Sequence, residues 1–205
     1  MITAGPTREP LDTVRFLSNP SSGRMGYAIA AAAKAAGHRV TLVSGPVELP
    51  SPRGVRVIRV QTAAEMLAAA SQAFRAADGA IFAAAVCDYR PRRTVRRKLP
   101  KSTKATSLEL LPTADIAATL GRLKGRRVTI AFALEDHDAR RHAEVKLRKK
   151  NCDAILLNGP ENVGAPTGRF ELLTRGGAWE TWPVASKRAI ARRIVQLFER
   201  LAAAR

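Results

Sequence analysis

The sequence predicts an α/β protein built on a doubly wound, mostly parallel sheet, and three observations carry that expectation. Short apolar runs rich in β-branched residues alternate with alanine-rich segments of helical length. The order is strand then helix along nearly the whole chain, the pattern of parallel strands joined by crossover helices on both faces. The 205 residues are 46% hydrophobic and 25% charged, enough to bury one substantial core, so a single domain over 1–205 is expected.

Each element has a local reason. Met1 to Ala4 is the first strand, and a helix over 24–36 follows with Ser22 as its cap and Gly37 as its stop. Arg39 to Val43 and Val55 to Val60 are strands. Thr62 opens a helix over 63–77, and Glu65, three residues on, completes a capping box. Ala80 to Val86 is the next strand, Thr113 caps a helix over 114–123, and Val128 to Phe132 precedes a helix over 138–150. After the strand Ala154 to Leu157, the runs Arg169 to Thr174 and Ala178 to Trp182, joined through Arg175-Gly176-Gly177, form an edge hairpin. A helix from about 185 to 203 closes the fold, which is Rossmann-like in outline. Two connections exceed what such a sheet needs: Gly5 to Gly23, and 88–111, which reads DYRPRRTVRRKLPKSTKATSLELL. Connections of this length are usually functional or disordered.

Composition limits the function. A net charge of +18 points to anionic partners such as nucleic acid, an acidic membrane surface or phosphorylated small molecules, or else to a solvated arginine-rich face. No stretch approaches the ~18 to 20 apolar residues that cross a bilayer, and Met1 to Gly5 lack the features of a signal peptide, so no membrane association and a cytoplasmic location are expected. Cys87 and Cys152 are expected as free thiols. His137 and His142, five apart, would lie on different faces of a helix, which gives no transition-metal site.

The stretch SNPSSGRMGYA, residues 18 to 28, lies where the loop after the first strand enters a helix. That is the ligand crevice of an open α/β sheet. Serine hydroxyls at Ser21 and Ser22 and unpaired N–H groups at the helix start suit phosphate oxygens, although an ordinary serine cap would look the same. Gly23 allows close approach of the backbone, and Gly26 lets the helix pack on its strand. Arg8 and Arg15 offer bidentate recognition of phosphate or carboxylate, and Asn19 offers a neutral amide donor to a developing oxyanion.

These residues carry a resemblance. ITAGPTREPLDTVRFLSNPSSGRMGYAIA resembles the start of the phosphopantothenoylcysteine synthetase family of coenzyme A biosynthesis. The likeness continues through TLVSGPV (41–47), AAAVCDYRP (83–91), KLPK (98–101), FALED (132–136) and KLRKKNCDAILLN (146–158). It implies a ligase that uses CTP to turn the carboxylate of 4′-phosphopantothenate into an acyl-cytidylate, with Mg²⁺ or Mn²⁺, after which the amine of L-cysteine displaces CMP. It implies that Asn19, Arg15 and the backbone at Ala84 hold the acyl-cytidylate, that Lys98 is the flap lysine, and that Ser21, Ser22, Gly23, Asp88, Phe132 and Lys101 line the nucleotide side. A homodimer with the flap packed across its interface, no flavin, and a separate decarboxylase acting in the same pathway are further implications. Together the two reactants carry about six negative charges, so cationic loops are required.

From Arg90 to Lys104 there are eight basic residues and no acid. A nucleic-acid arm is the rival reading of this segment. Against it, aromatic residues are 5% of the chain and Tyr89 alone lies beside the cluster, so base stacking has little support. A nicotinamide or flavin oxidoreductase is disfavoured because no G-x-G-x-x-G follows the first strand. Asp88 could bind metal, a ribose hydroxyl, or Arg90 within a turn. Phe132 could be core, a platform for the base, or both. The pattern departs from the family at Leu110-Leu111-Pro112-Thr113-Ala114-Asp115, at Leu99-Pro100 and at FALED, all on the nucleotide side. Met1 is expected to fall inside the first strand, with either an upstream start or a clipped strand.

Overall fold

The computed structural model describes residues 1–205. The chain runs β1 (Ile2–Ala4), β2 (Arg8–Pro10), β3 (Phe16–Ser18), α1 (Arg24–Ala35), β4 (Thr41–Ser44), β5 (Arg56–Arg59), α2 (Ala63–Arg75) and β6 (Gly79–Phe82). It continues through β7 (Tyr89–Pro91), β8 (Leu110–Pro112), α3 (Ile116–Arg122), β9 (Val128–Leu134), α4 (Ala139–Lys149), β10 (Ala154–Asn158), a 3-10 turn at Pro160–Asn162, β11 (Thr167–Thr174), β12 (Glu180–Ser186) and α5 (Lys187–Ala203). Eight strands form one sheet in the order β12-β11-β10-β9-β6-β1-β4-β5. The six from β5 to β10 are parallel, and β11 and β12 are the antiparallel edge hairpin. This is the Rossmann-like, doubly wound architecture.

The period-two alternation of the strands divides the core into layers. Leu42, Ile81, Ile130 and Leu156 face α1 and α5, whose buried faces include Ile29, Ala30, Ile190 and Ile194. Their sequence neighbours point the other way: Val43, Ala80 and Phe82 pack on α2 and α3 through Met66, Phe74 and Leu120. Ala131, Ile155 and Leu157 pack on α4 through Ala143 and Leu147.

The long connections acquire their own structure. Residues 5–23 contain the ribbon β2–β3, paired Arg8 to Ser18, Glu9 to Leu17 and Pro10 to Phe16. Residues 88–111 rise from the ribbon β7–β8, which lies beside β2. The strand expected to reach Val86 ends as regular strand at Phe82, but the chain keeps beside the extension of β1: Ala83 N–H donates to the Thr3 carbonyl at 3.2 Å, Ala85 N–H to the Gly5 carbonyl at 2.9 Å, and Pro6 and Ala85 form an isolated parallel bridge.

Caps separate local from non-local control. Thr62 accepts from Glu65 N–H and Glu65 reaches back, as the capping box predicts. Ser22 does not cap α1: Gly23 is the N-cap, in the left-handed region at φ 72°, with no side-chain cap bond. Thr113 does not cap α3 either. Asp115 does, accepting from Ala118 N–H at 3.0 Å, while the Thr113 hydroxyl donates to the Cys87 carbonyl. His137 precedes α4 rather than sitting in it, so its ring meets His142 edge to face at 5.1 Å and the different-faces expectation fails.

Helix α1 comes unusually close to β1. A β-carbon on Gly26 would collide with the Ala4 side chain and crowd the Thr3 carbonyl at 3.2 Å. Overpacking of this kind costs about 1–3 kcal/mol. Gly26→Ala is expected to lower the unfolding free energy by that amount, read from the urea midpoint at unchanged m-value.

Candidate functional site

One cleft of about 620 Å³ opens at the carboxyl ends of the parallel strands. It lies at β1 and β6, where the strand order reverses direction, the place such sheets bind ligands. Its walls come from the loop into α1, the turn after β6, the start of α3, the end of β9, and one face of α4.

The α1 wall carries the donors. Arg24, Met25 and Gly26 line the cleft, and their N–H groups precede the first turn of hydrogen bonds, so none has an intrahelical acceptor. Ser21 and Ser22 stand beside them, with Gly23 N–H donating to Ser21 Oγ at 3.3 Å. A set of unpartnered N–H groups at a positive helix end suits an oxyanion.

Asn19 lies opposite. Its Nδ2 donates to the Ala85 carbonyl at 3.3 Å and the Val86 carbonyl at 3.0 Å, so the amide donors expected to face an oxyanion are spent in tying two loops together. The Ala84 N–H is likewise committed, donating to Thr3 Oγ1 at 3.3 Å. Asp88 lines the cleft and forms no ion pair with Arg90; its carbonyl accepts from Thr113 N–H at 2.9 Å. Phe132 is half-buried, packs edge-on against Phe170 at 6.0 Å, and also forms cleft wall, so it belongs to both core and cleft.

Lys146 and Lys150 come from α4 and its end, four residues apart and hence on one face. Lys150 Nζ donates to Asp115 at 2.7 and 2.9 Å, and Lys146 pairs with Glu135. Burial pushes the Asp115 carboxyl up, but the bonds from Lys150 and Ala118 outweigh it and leave it below the ordinary value. Asn162, Gly164 and Lys187 complete the far end. Sequence reasoning did not assign these residues to the site. The i,i+4 lysines in KLRKK, following a strand that ends at the ligand edge, were the available signal. Lys187 had none, because it reaches the cleft only through tertiary folding.

Arg15, Lys98 and Lys101 do not line the cleft. Lys98 and Lys101 are exposed on the flap. Arg15 is occupied by Asp12, whose side chain is fully buried. Asp12 accepts from Val14 N–H and Arg15 N–H, both at 2.8 Å, and from the Arg15 guanidinium through Nε at 2.9 Å and through Nη2. It also accepts from Leu99 N–H at 3.0 Å, while Arg15 Nη2 donates to the Leu99 carbonyl at 2.9 Å. The residue after Lys98 is thus gripped by both its peptide groups. Val95 N–H and the Thr94 hydroxyl anchor the same strap to the carbonyls of Leu11 and Pro10.

Both thiols are free and buried, and burial raises both, Cys152 to about 11, which favours the protonated thiol over the thiolate.

An open α/β sheet with an anion-receptive helix start at its reversal point is the architecture of the Rossmann-like class. Residues 1–201 match the DNA/pantothenate metabolism flavoprotein C-terminal domain, and the chain belongs to that family. It is 40% identical over 201 residues to the coenzyme A biosynthesis bifunctional protein CoaBC of Bacillus subtilis, covering 96% of this chain and 50% of that protein. A prokaryotic protein of unknown organism named cysteine/cysteine sulfinic acid decarboxylase is 44% identical over 201 residues, covering 95% of this chain and 56% of that one. The chain therefore spans about half the length of these curated relatives. The crystal structure of the C-terminal domain of a coenzyme A biosynthesis bifunctional protein CoaBC superposes with a TM-score of 0.86 at 37% identity, covering 100% of this chain and 95% of that one. A DNA/pantothenate metabolism flavoprotein from Streptococcus pneumoniae shares the fold with a TM-score of 0.82 at 20% identity, covering 97% of each chain.

The Asp12 latch is testable. Its carboxyl is held well below the usual carboxylate range, first by the Arg15 side chain and then by the Arg15 N–H. A depressed acid contributes fully above its unfolded value and loses that contribution only as pH falls through the folded one. Protection of the flap amides from hydrogen exchange should therefore not vary, once corrected for intrinsic rates, from about pH 5 to pH 8. Asp12→Ala should raise tryptic cleavage at 92–98 by about tenfold or more, since charged hydrogen bonds are lost.

Proposed function

We propose that this chain joins 4′-phosphopantothenate to L-cysteine, using CTP, in coenzyme A biosynthesis. The observation that carries the reading is the whole-chain match to the CoaBC C-terminal domain in sequence and fold, with the oxyanion-receptive start of α1 inside the cleft.

The reaction has two steps. A carboxylate oxygen of the acid attacks the α-phosphorus of CTP, the bond to the bridging oxygen breaks, and pyrophosphate leaves with the electron pair. The cysteine amine then attacks the acyl carbon, CMP departs, and the amine proton passes to solvent. The chain's own task is to gather polyanions and hold the reacting atoms about 3–3.5 Å apart. The N–H groups of Arg24, Met25 and Gly26, with the hydroxyls of Ser21 and Ser22, receive phosphate oxygens. Lys146 and Lys150 supply positive charge from the opposite wall. Asn19, through its hold on Ala85 and Val86, fixes the turn on which Ala84 and Asp88 sit. Lys98 and Lys101, exposed on the flap, are the cations that the family resemblance assigns to the nucleotide phosphates.

No group of three or more His, Cys, Asp or Glu side chains converges in the structure, so a divalent cation here would be held by Asp88 together with phosphate oxygens. That donor set suits Mg²⁺ or Mn²⁺, which would neutralise polyphosphate charge. Phe132 at the cleft wall is the platform for the base. A homodimer is supported by Val14, Phe16, Tyr89, Leu108 and Leu110, large apolar side chains left exposed on or beside the two ribbons. A phosphopantothenoylcysteine decarboxylase is the partner expected to take the product.

Two measurements test the reading. Pyrophosphate release should require both CTP and 4′-phosphopantothenate, with CMP release requiring added cysteine; carbon dioxide from cysteine with no amide formed would overturn it. Lys98→Gln is expected to slow pyrophosphate release by about 10²-fold or more, the scale for losing one group that stabilises developing charge, while melting at the unsubstituted temperature.

A further inference from the structure

The far end of the cleft holds two cations that the reaction as described leaves unused. Arg24 is the first residue of α1 and Lys187 the first of α5, two helices that pack side by side and begin at the same rim. Both line the cleft. Lys187 Nζ donates to the Asn162 carbonyl at 3.0 Å and Arg24 Nη1 to the Gly164 carbonyl at 3.2 Å, so both side chains are aimed at one short loop.

Electrostatically the arrangement is costly without a ligand. A base at the N-terminus of a helix opposes the helix dipole, and neither helix has an acid in its first turn to relieve it. Glu161, the acid on the facing loop, forms no ion pair with either base, and only neutral carbonyls receive the two side chains. Lys187 is half-buried, and its ammonium is held below the ordinary lysine range by burial and then by the charge of Arg24. One bound anion reverses each of these terms, since it pairs with both cations and completes the unpartnered N–H groups of Arg24, Met25 and Gly26.

We propose that Arg24 and Lys187 form a phosphate-gripping pair, a subsite that takes a phosphate oxyanion of one of the two substrates at the α1/α5 end of the cleft. The inference rests on the ligase reading for which phosphate is meant: the polyphosphate of the nucleotide or the phosphomonoester of the acid. The chemistry at the subsite is the same in both cases.

The probes are inorganic pyrophosphate and inorganic phosphate, titrated calorimetrically into the full chain. Arg24→Gln and Lys187→Gln are each expected to weaken pyrophosphate binding about tenfold, and Lys187→Arg to retain it within about threefold. Melting of each variant without ligand checks that the fold is intact, and Arg24→Gln tests the pair without disturbing the Asn162 contact. In the assay, a raised KM for CTP alone assigns the subsite to the polyphosphate, and a raised KM for the phosphorylated acid alone assigns it to the monoester. Pyrophosphate binding within about twofold of the unsubstituted chain in both neutral variants overturns the proposal. Loss of probe binding in a protein that forms no amide would keep the subsite and overturn the ligase reading, and amide synthesis with unchanged probe binding would do the reverse.

Discussion

The architecture depends on how closely α1 is allowed to approach β1. With no side chain at position 26, the helix settles against Ala4 and its first turn opens at the point where the sheet reverses direction. Gly23, at φ 72°, turns the chain into that helix in a conformation most residues avoid. Everything the cleft offers on this side follows from those two positions: three free N–H groups, two hydroxyls and the positive end of a dipole share one wall. A helix displaced outward by a methyl group would still fold, but its donors would no longer face the turn after β6.

Much of the fold could be read from the chain because the determining interactions are local or periodic. The Thr62–Glu65 box spans four residues, and the alternation of Leu42 with Val43, or Ile81 with Ala80, assigns the faces of the sheet without knowledge of the partner. What escaped was set by non-local contacts. Asp115 displaced Thr113 as a cap because the Thr113 hydroxyl was taken by the Cys87 carbonyl, 26 residues away in sequence. The ribbon β2–β3 consists of three-residue strands whose pairing draws on the packing of the first loop, and no periodic signal survives at that length.

The site was legible in the same measure. Ser21, Ser22, Gly23, Asp88 and Asn19 surround the cleft, as their places at strand ends and in the first loop suggest, and so do Ala84 and Phe132, which only the family resemblance assigns there. Arg15, Lys98 and Lys101 instead belong to the strap and its latch. Their parts in the reaction were carried by resemblance, and the position of the strap puts them outside the cleft. Asn19 occupies its expected place but spends its donors on two carbonyls, which makes it a brace between loops.

The edge hairpin has a geometric consequence. Two successive reversals, β10 to β11 and β11 to β12, restore the chain to its original heading before the last helix starts. An odd number of added strands would deliver that helix to the opposite rim. The parity of the hairpin is therefore what allows a residue encoded more than 160 positions after the first loop to share a wall with it, and a single-strand deletion there would separate the two however well the remaining core packed.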